Sequence, residues 1–185
     1  MTQTETRPLR RVSHLKADLR TSGWVILLVL ALMGSMLIFL GLVGLYARQV
    51  AETGVLGLIA FLVAFIGMTL FVGMIWTFTF VVPSLAEAAP ELLDADPSGL
   101  LAAGFILTLV LFTLGWLLFG LASLQAGLLP RGAAVLLMIG AVLSFVLSFL
   151  ELPFGEVVFG VALAWMGYAV WTGAGEQATE PRAAP

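Results

Sequence analysis

Long runs without a charged residue constrain this chain of 185 residues more than any other feature. Two of them, 53–86 and 97–130, each extend for 34 residues. Apolar runs of that length cannot shield their surface from water, whereas a hydrocarbon core about 30 Å thick accepts helices of roughly 20 residues. Only 10% of the residues are charged, against about a quarter in soluble domains. The sequence therefore predicts an integral membrane protein.

Five apolar runs predict five transmembrane helices in an all-α bundle. The first run, 21–47, is longer than the apolar region of most cleaved signal peptides, so we expect an uncleaved first span. Pro83 is expected to end the second span, because proline interrupts helical hydrogen bonding. The predicted transmembrane domain covers 24–175, with spans at about 24–47, 54–82, 98–126, 132–150 and 156–174, and a disordered tail follows at 176–185.

The N-terminal segment, 1–23, holds five of the eight basic residues. Leucines at helical spacing and Pro8 predict a short basic amphipathic helix on the membrane surface, ending at Gly23. An ordinary positive flank of the first span is the favoured interpretation of its role, and a docking segment for an acidic partner or anionic lipid is the alternative. Because basic residues near spans are retained in the cytoplasm, we expect a cytoplasmic N-terminus and an external C-terminus.

The linker 83–97 carries four acids and no base. Pro90 favours a broken helix there, although a helix would place three of the acids on one face. The predicted topology puts this linker beside the N-terminal segment, so we hypothesise contact between them within one chain or across a dimer. The alternative is a solvated loop in which Ser84 and Asp96 cap helices. The candidate contact residues are Glu87, Glu91 and Asp94 in the linker and Arg10, Arg11, Lys16 and Arg20 in the N-terminal segment.

Spans of equal orientation show weak similarity along the chain. The stretch 115–125 resembles 164–174, and the starts of spans 2 and 4 are also alike. A tandem repeat of helical hairpins, as found in many transporters, is one interpretation. The other interpretation is that the spans are built mostly from Leu, Gly, Ala and Phe, and that so few residue types produce similar stretches by chance.

Small residues recur four apart on two spans. Gly140, Ser144 and Ser148 form such a face on span 4, and Gly160 with Ala164 forms another on span 5. Faces of this kind let helix backbones approach closely in a membrane. We therefore expect these residues to serve in helix packing.

Three residues are candidates for a ligand or proton site. Glu156 lies at the tip of a predicted hairpin but reaches one turn into the membrane if span 5 begins at Leu152. Trp116 and Trp165 lie well inside their spans, where they line either a cavity for a lipid or quinone-sized ligand or an ordinary core. Hairpin geometry and core packing are the favoured interpretations.

The residue inventory argues against enzymatic chemistry. The chain has no cysteine, and its single histidine, His14, lies outside the predicted spans. The sequence therefore excludes active sites that use thiol chemistry, a histidine-rich metal motif or a Ser-His pair. It also contains no phosphate-binding loop motif. Net charge of −3 also argues against nucleic-acid binding. We expect a non-enzymatic protein without cofactor or metal site.

The stretch GWLLFGLASLQAGLLPRGAAVLLMIGAVL, 115–143, resembles small multi-spanning proteins found widely in bacterial genomes and classed as domains of unknown function. The resemblance covers roughly spans 2 to 5 and carries no site residues. It implies a helical protein of the bacterial cytoplasmic membrane. The leading expectation is a structural, accessory or interaction subunit that contacts lipid, itself or a larger complex. A small permease or carrier of lipid-like ligands is the alternative.

Overall fold

The computed structural model describes residues 22–93, 99–148, 150 and 154–173, and among these no strand occurs. The all-α prediction is confirmed for this part of the chain. The basic candidates at 10–20, Asp94 and the tail 176–185 lie outside the described residues. The elements are α1 (Ser22–Trp76), a π-helical segment (Thr77–Val81), α2 (Val82–Ala88), a 3₁₀ turn (Pro90–Leu92), α3 (Leu100–Ala126), α4 (Arg131–Ser148) and α5 (Phe154–Thr172).

Four helical stretches of the described chain are long and apolar enough to cross a membrane, which indicates a multi-pass membrane protein. The first, Val25–Ala88, has 64 residues and contains two of the five predicted spans. The others are α3, α4 and α5, with 27, 18 and 19 residues. At 1.5 Å per residue, α4 and α5 are about 27–29 Å long, close to the thickness of a hydrocarbon core.

Helix α1 is interrupted at Gly54, where the backbone has φ 54° and ψ −143°. A side chain at such a conformation is strained, so glycine is the residue suited to this position. The interruption divides α1 into arm A, residues 22–53, and arm B, residues 55–76. At the end of arm A, the Thr53 hydroxyl donates to the carbonyl of Gln49 at 2.9 Å, which satisfies one of the carbonyls that a helix end leaves without a partner.

Ring contacts place the two arms side by side. Phe39 on arm A and Phe65 on arm B have ring centroids 4.7 Å apart, and Tyr46 stacks on Phe61 at 4.2 Å. If α1 were straight, Phe39 and Phe65 would be separated by about 39 Å along the helix axis. The chain therefore reverses direction at Gly54, and residues 38–53 and 55–71 are antiparallel.

Pro83 does not end the helix, which continues through it to Ala88; where the second span leaves the membrane stays a prediction. Proline lacks an N–H and its ring clashes with the carbonyl four residues back, here that of Thr79. The chain responds with one wide turn, in which the N–H of Val82 bonds to the carbonyl of Thr77. This π-helical turn lets α2 run on to Ala88.

The linker 83–97 is more helical than expected. Ser84 lies inside the helix and its hydroxyl donates to the carbonyl of Phe80 at 2.8 Å, so it does not cap a helix N-terminus. The helix stops at Ala89, whose backbone has φ −151° and ψ 67°, directly before Pro90. A break at this proline was expected, since the residue preceding proline disfavours helical geometry.

The chain divides into two compact units. Unit 1 comprises, among described residues, 22–37, 72–93 and 99–105; unit 2 comprises 38–71, 106–148, 150 and 154–173. In unit 1, Phe78 stacks on Phe105 with centroids 6.0 Å apart. Unit 2 contains the reversal at Gly54, most of α3, and all of α4 and α5.

Glycine permits close helix contacts within unit 2. A Cβ at Gly67 of arm B would lie 2.6 Å from the backbone carbonyl carbon of Leu111 on α3, and a Cβ at Gly115 would overlap the backbone of Ala64. Helices α4 and α5 meet in the same way, since a Cβ at Gly140 would lie 2.7 Å from Cα of Phe159. Backbones in contact gain dispersion energy along their length, which is a principal source of helix association in lipid.

Substitution of Gly115 tests this packing. We expect Gly115→Ala to lower the melting temperature in detergent, because the methyl group overlaps backbone that cannot move aside; overpacking of this kind costs about 1–3 kcal/mol. Gly73→Ala is the matched control, since a Cβ at Gly73 meets nothing within 4 Å. An unchanged melting temperature for Gly115→Ala would contradict the packing described for arm B and α3.

Candidate functional site

A cluster of aromatic rings fills the space between α3 and α5. Trp116 of α3 meets Phe159 of α5 with ring centroids 5.0 Å apart and an interplanar angle of 78°. Phe112 approaches the same Phe159 ring at 5.4 Å, and Phe119 meets Trp116 edge-on at 5.9 Å. Edge-to-face pairs of this geometry contribute about 0.5–1.5 kcal/mol beyond area burial. We name Phe112, Trp116, Phe119 and Phe159 the aromatic core.

The two tryptophans singled out in the sequence lie in different environments. Trp116 is fully enclosed, and its indole N–H has no hydrogen-bond partner. The neighbouring ring faces are weak acceptors for such a group. Trp165 is 45% exposed, and its ring covers Gly132 at the start of α4. Among the described residues, Trp116 therefore belongs to a packed core, whereas Trp165 lies at the surface of unit 2.

Glu156 occupies the first turn of α5 and is exposed. An acid at this position is favourable, because the N-terminus of a helix carries partial positive charge. Its predicted neighbour Glu151 lies outside the described residues. The position of Glu156 at a helix start accounts for its presence without a proton site.

The two small-residue faces differ in what they contact. On α4, Gly140 and Ser144 are buried against α5, and a Cβ at Gly155 would overlap the backbone of Ser144. On α5, nothing lies within 4 Å of a Cβ built at Gly160, and Ala164 is exposed.

Ser148 is intermediate between these cases. It is half-buried, and its hydroxyl donates to the carbonyl of Phe145 at 2.7 Å. Of the five predicted packing residues, Gly140 and Ser144 thus face another described helix, whereas Gly160 and Ala164 lie on an uncovered face.

Two of the predicted acidic contact residues can be located. Glu87 is exposed near the end of α2, and Glu91 is exposed in the 3₁₀ turn. The break at Ala89 separates them, so they do not form one helical stripe. Their predicted partners and Asp94 lie outside the described residues, and the contact hypothesis stays a prediction.

The sequence analysis missed Gln49, which lies on arm A five residues before Gly54. The side chain is 1% exposed, and neither its amide oxygen nor its amide nitrogen has a hydrogen-bond partner. Gln49 falls between the predicted spans 24–47 and 54–82. Its spacing of four and seven residues from the buried Leu45 and Leu42 was the signal that could have placed it on the packed face.

Acid and histidine side chains do not gather into a cluster anywhere in the described ranges: no group of three or more that could hold a metal ion occurs there. The polar chemistry enclosed in unit 2 consists of the amide of Gln49, the indole of Trp116 and hydroxyl groups such as that of Ser123. These groups can donate and accept hydrogen bonds.

No family model, curated protein or solved structure matches this chain. The resemblance to small multi-spanning bacterial proteins stays a prediction.

Truncation of Trp116 tests the aromatic core. We expect Trp116→Ala to destabilise the protein by about 3–5 kcal/mol, because it removes the ring that both Phe119 and Phe159 contact and leaves a cavity. Trp171→Ala is the control, since Trp171 is 85% exposed and faces the surroundings. Denaturant or thermal unfolding in one detergent measures both variants. Equal effects for the two would contradict a packed core at Trp116.

Proposed function

We propose that this protein is a non-enzymatic integral membrane protein that acts as a structural, accessory or interaction subunit. The observation that supports this proposal is the combination of a filled core and an uncovered face in unit 2. Trp116 and Phe159 occupy the space between α3 and α5 in which a carrier would need a cavity. Gly160 and Ala164 leave α5 open to close approach by another helix.

The proposed location is the bacterial cytoplasmic membrane, with five crossings. The reversal at Gly54 supports counting arms A and B as two crossings, because each arm exceeds about 20 residues. The retention of basic residues on the cytoplasmic side supports an internal N-terminus, since five of the eight basic residues precede arm A. An odd number of crossings then puts the C-terminus outside.

The uncovered face of α5 is the proposed contact for a partner helix. Lipid tails are as apolar as leucine, so small residues associate helices by close van der Waals contact and not by apolar character. Gly160, Ala164 and Gly167 are all exposed and recur at helical spacing on this face. A second copy of the chain and a membrane helix of a larger complex are the partners that fit it.

Native mass spectrometry of protein released gently from its own membranes tests this function. We expect a stoichiometric second copy or protein partner, and we expect Gly160→Leu to abolish it, because the larger side chain holds the partner helix away. Val161→Leu is the matched control, since Val161 is already a large exposed residue.

A bare monomer that retains one defined small molecule would contradict the subunit function. It would support a small permease or carrier of lipid-like ligands, for which the one favourable observation is the buried amide of Gln49.

The charged segments supply a second proposed contact, between the acidic linker and the N-terminal segment. We expect the double variant Glu87→Lys, Glu91→Lys to reduce crosslinking between the linker and Lys16, because like charges replace opposite ones. Stability is a poor measure, since exposed ion pairs contribute about 0–1 kcal/mol. Glu52→Lys is the control, because this exposed acid lies at the Gly54 reversal. Undiminished crosslinking in the double variant would overturn the contact.

A further inference from the structure

Gln49 is the polar side chain of unit 2 whose burial demands an explanation. Both atoms of its amide are enclosed without a partner. A buried amide left in that condition costs the free energy of removing it from water without the return of a hydrogen bond. We propose that Gln49 anchors an internal binding site for a small neutral polar ligand that offers both a hydrogen-bond donor and an acceptor.

The surroundings of Gln49 hold the side chain inside the helix packing. Gln49 follows Leu42 and Leu45 along the buried face of arm A. One turn earlier, Tyr46 stacks on Phe61 of arm B, so the two arms are in firm contact at this level. The backbone carbonyl of Gln49 already accepts from Thr53, which leaves the side-chain amide as the group free to bind a ligand.

Helix register identifies which residues share the level of Gln49. The Tyr46 and Phe61 rings pair arm A with arm B, and the contact of Gly115 with Ala64 pairs arm B with α3. In antiparallel helices, Gln49 therefore lies level with Leu58, next to Gly57, on arm B. Gly57 in turn lies level with Ala122, next to Ser123, on α3. Gly57 and Ser123 are both buried.

Ser123 adds an acceptor at this level of the unit. Its hydroxyl proton is committed to the carbonyl of Phe119 at 2.9 Å, while its oxygen retains lone pairs. Gln49 supplies one acceptor oxygen and a donor NH₂ group. A ligand that matches these groups donates hydrogen bonds to the oxygens of Gln49 and Ser123 and accepts one from the amide nitrogen of Gln49. Water, a carboxamide and a protonated carboxylic acid can each do so.

A neutral ligand fits better than an ion. Buried charges need a charged partner or several hydrogen bonds, and the enclosed polar side chains of unit 2 within the described ranges are uncharged. Entry requires the end of arm A to move away from its neighbours, because the amide is enclosed on all sides. The reversal at Gly54, five residues along, is where the backbone can bend to allow it.

Nuclear magnetic resonance of the intact chain tests the site with water as the probe. The chain has four glutamines, Gln3, Gln49, Gln125 and Gln177, so glutamine-selective ¹⁵N labelling in deuterated detergent leaves few side-chain signals. The Gln49→Met spectrum assigns the signal of Gln49. We expect its NH₂ protons to show cross-relaxation with water or with protons of a retained molecule. Cross-relaxation with protein protons alone would overturn the proposal.

The change in melting temperature caused by Gln49→Met gives a second test, because it has opposite signs for an amide that binds a ligand and for an amide that is unsatisfied. If a ligand satisfies the amide, Gln49→Met loses those hydrogen bonds and the melting temperature falls by several degrees. If the amide is unsatisfied in solution, methionine removes the cost of burying it and the melting temperature rises, which would overturn the proposal. Gln125→Met is the matched control, because Gln125 is exposed. Should Gln49→Met fail to fold, Gln3→Met, Gln125→Met and Gln177→Met assign the other three glutamine signals, and the wild-type cross-relaxation of the remaining signal decides.

Discussion

Close contact between helix backbones, made possible by glycine, is the interaction on which the arrangement of unit 2 depends. Lipid tails are as apolar as the helices, so burying apolar surface between helices gains little free energy. Helices in lipid associate instead through dispersion contacts that require short distances. Gly67 and Gly115 bring arm B against α3, while Gly140 and Gly155 bring α4 against α5. The four phenylalanine and tryptophan rings of the aromatic core then fill the space that remains between α3 and α5.

The same packing bears on the choice between the two candidate functions, a subunit of a complex and a carrier of lipid-like ligands. A carrier needs a polar or open path along its helices, whereas Trp116, a candidate for lining a cavity, is enclosed by rings, as the favoured interpretation of core packing expected. The polar group that packing does enclose is Gln49, near the reversal at Gly54. The proposed subunit function and the proposed Gln49 site thus rest on different parts of unit 2, the uncovered face of α5 and the end of arm A.

The sequence allowed the helices to be predicted because charges are absent from their interiors, but it did not reveal which face of each helix is packed. These helices are apolar on all sides, so the packed face of a helix cannot be distinguished from its uncovered face by hydropathy. Gly140 and Gly160 look alike in sequence, yet one contacts a neighbouring helix and the other is uncovered. The continuation of the helix through Pro83 was not predicted, because it depends on a π-helical turn that accommodates the proline. The burial of Gln49 was not predicted, because this residue falls between two predicted spans.

The chain reverses direction at Gly54, and we propose that it crosses the membrane five times. Because the chain has no cysteine, single cysteines at the exposed positions Glu52, Glu91 and Arg131 can be labelled from one side with an impermeant maleimide in oriented membranes. The account predicts that Glu52→Cys and Arg131→Cys react from the external face and Glu91→Cys from the cytoplasmic face. Labelling of Glu91→Cys from the same face as Glu52→Cys would contradict it.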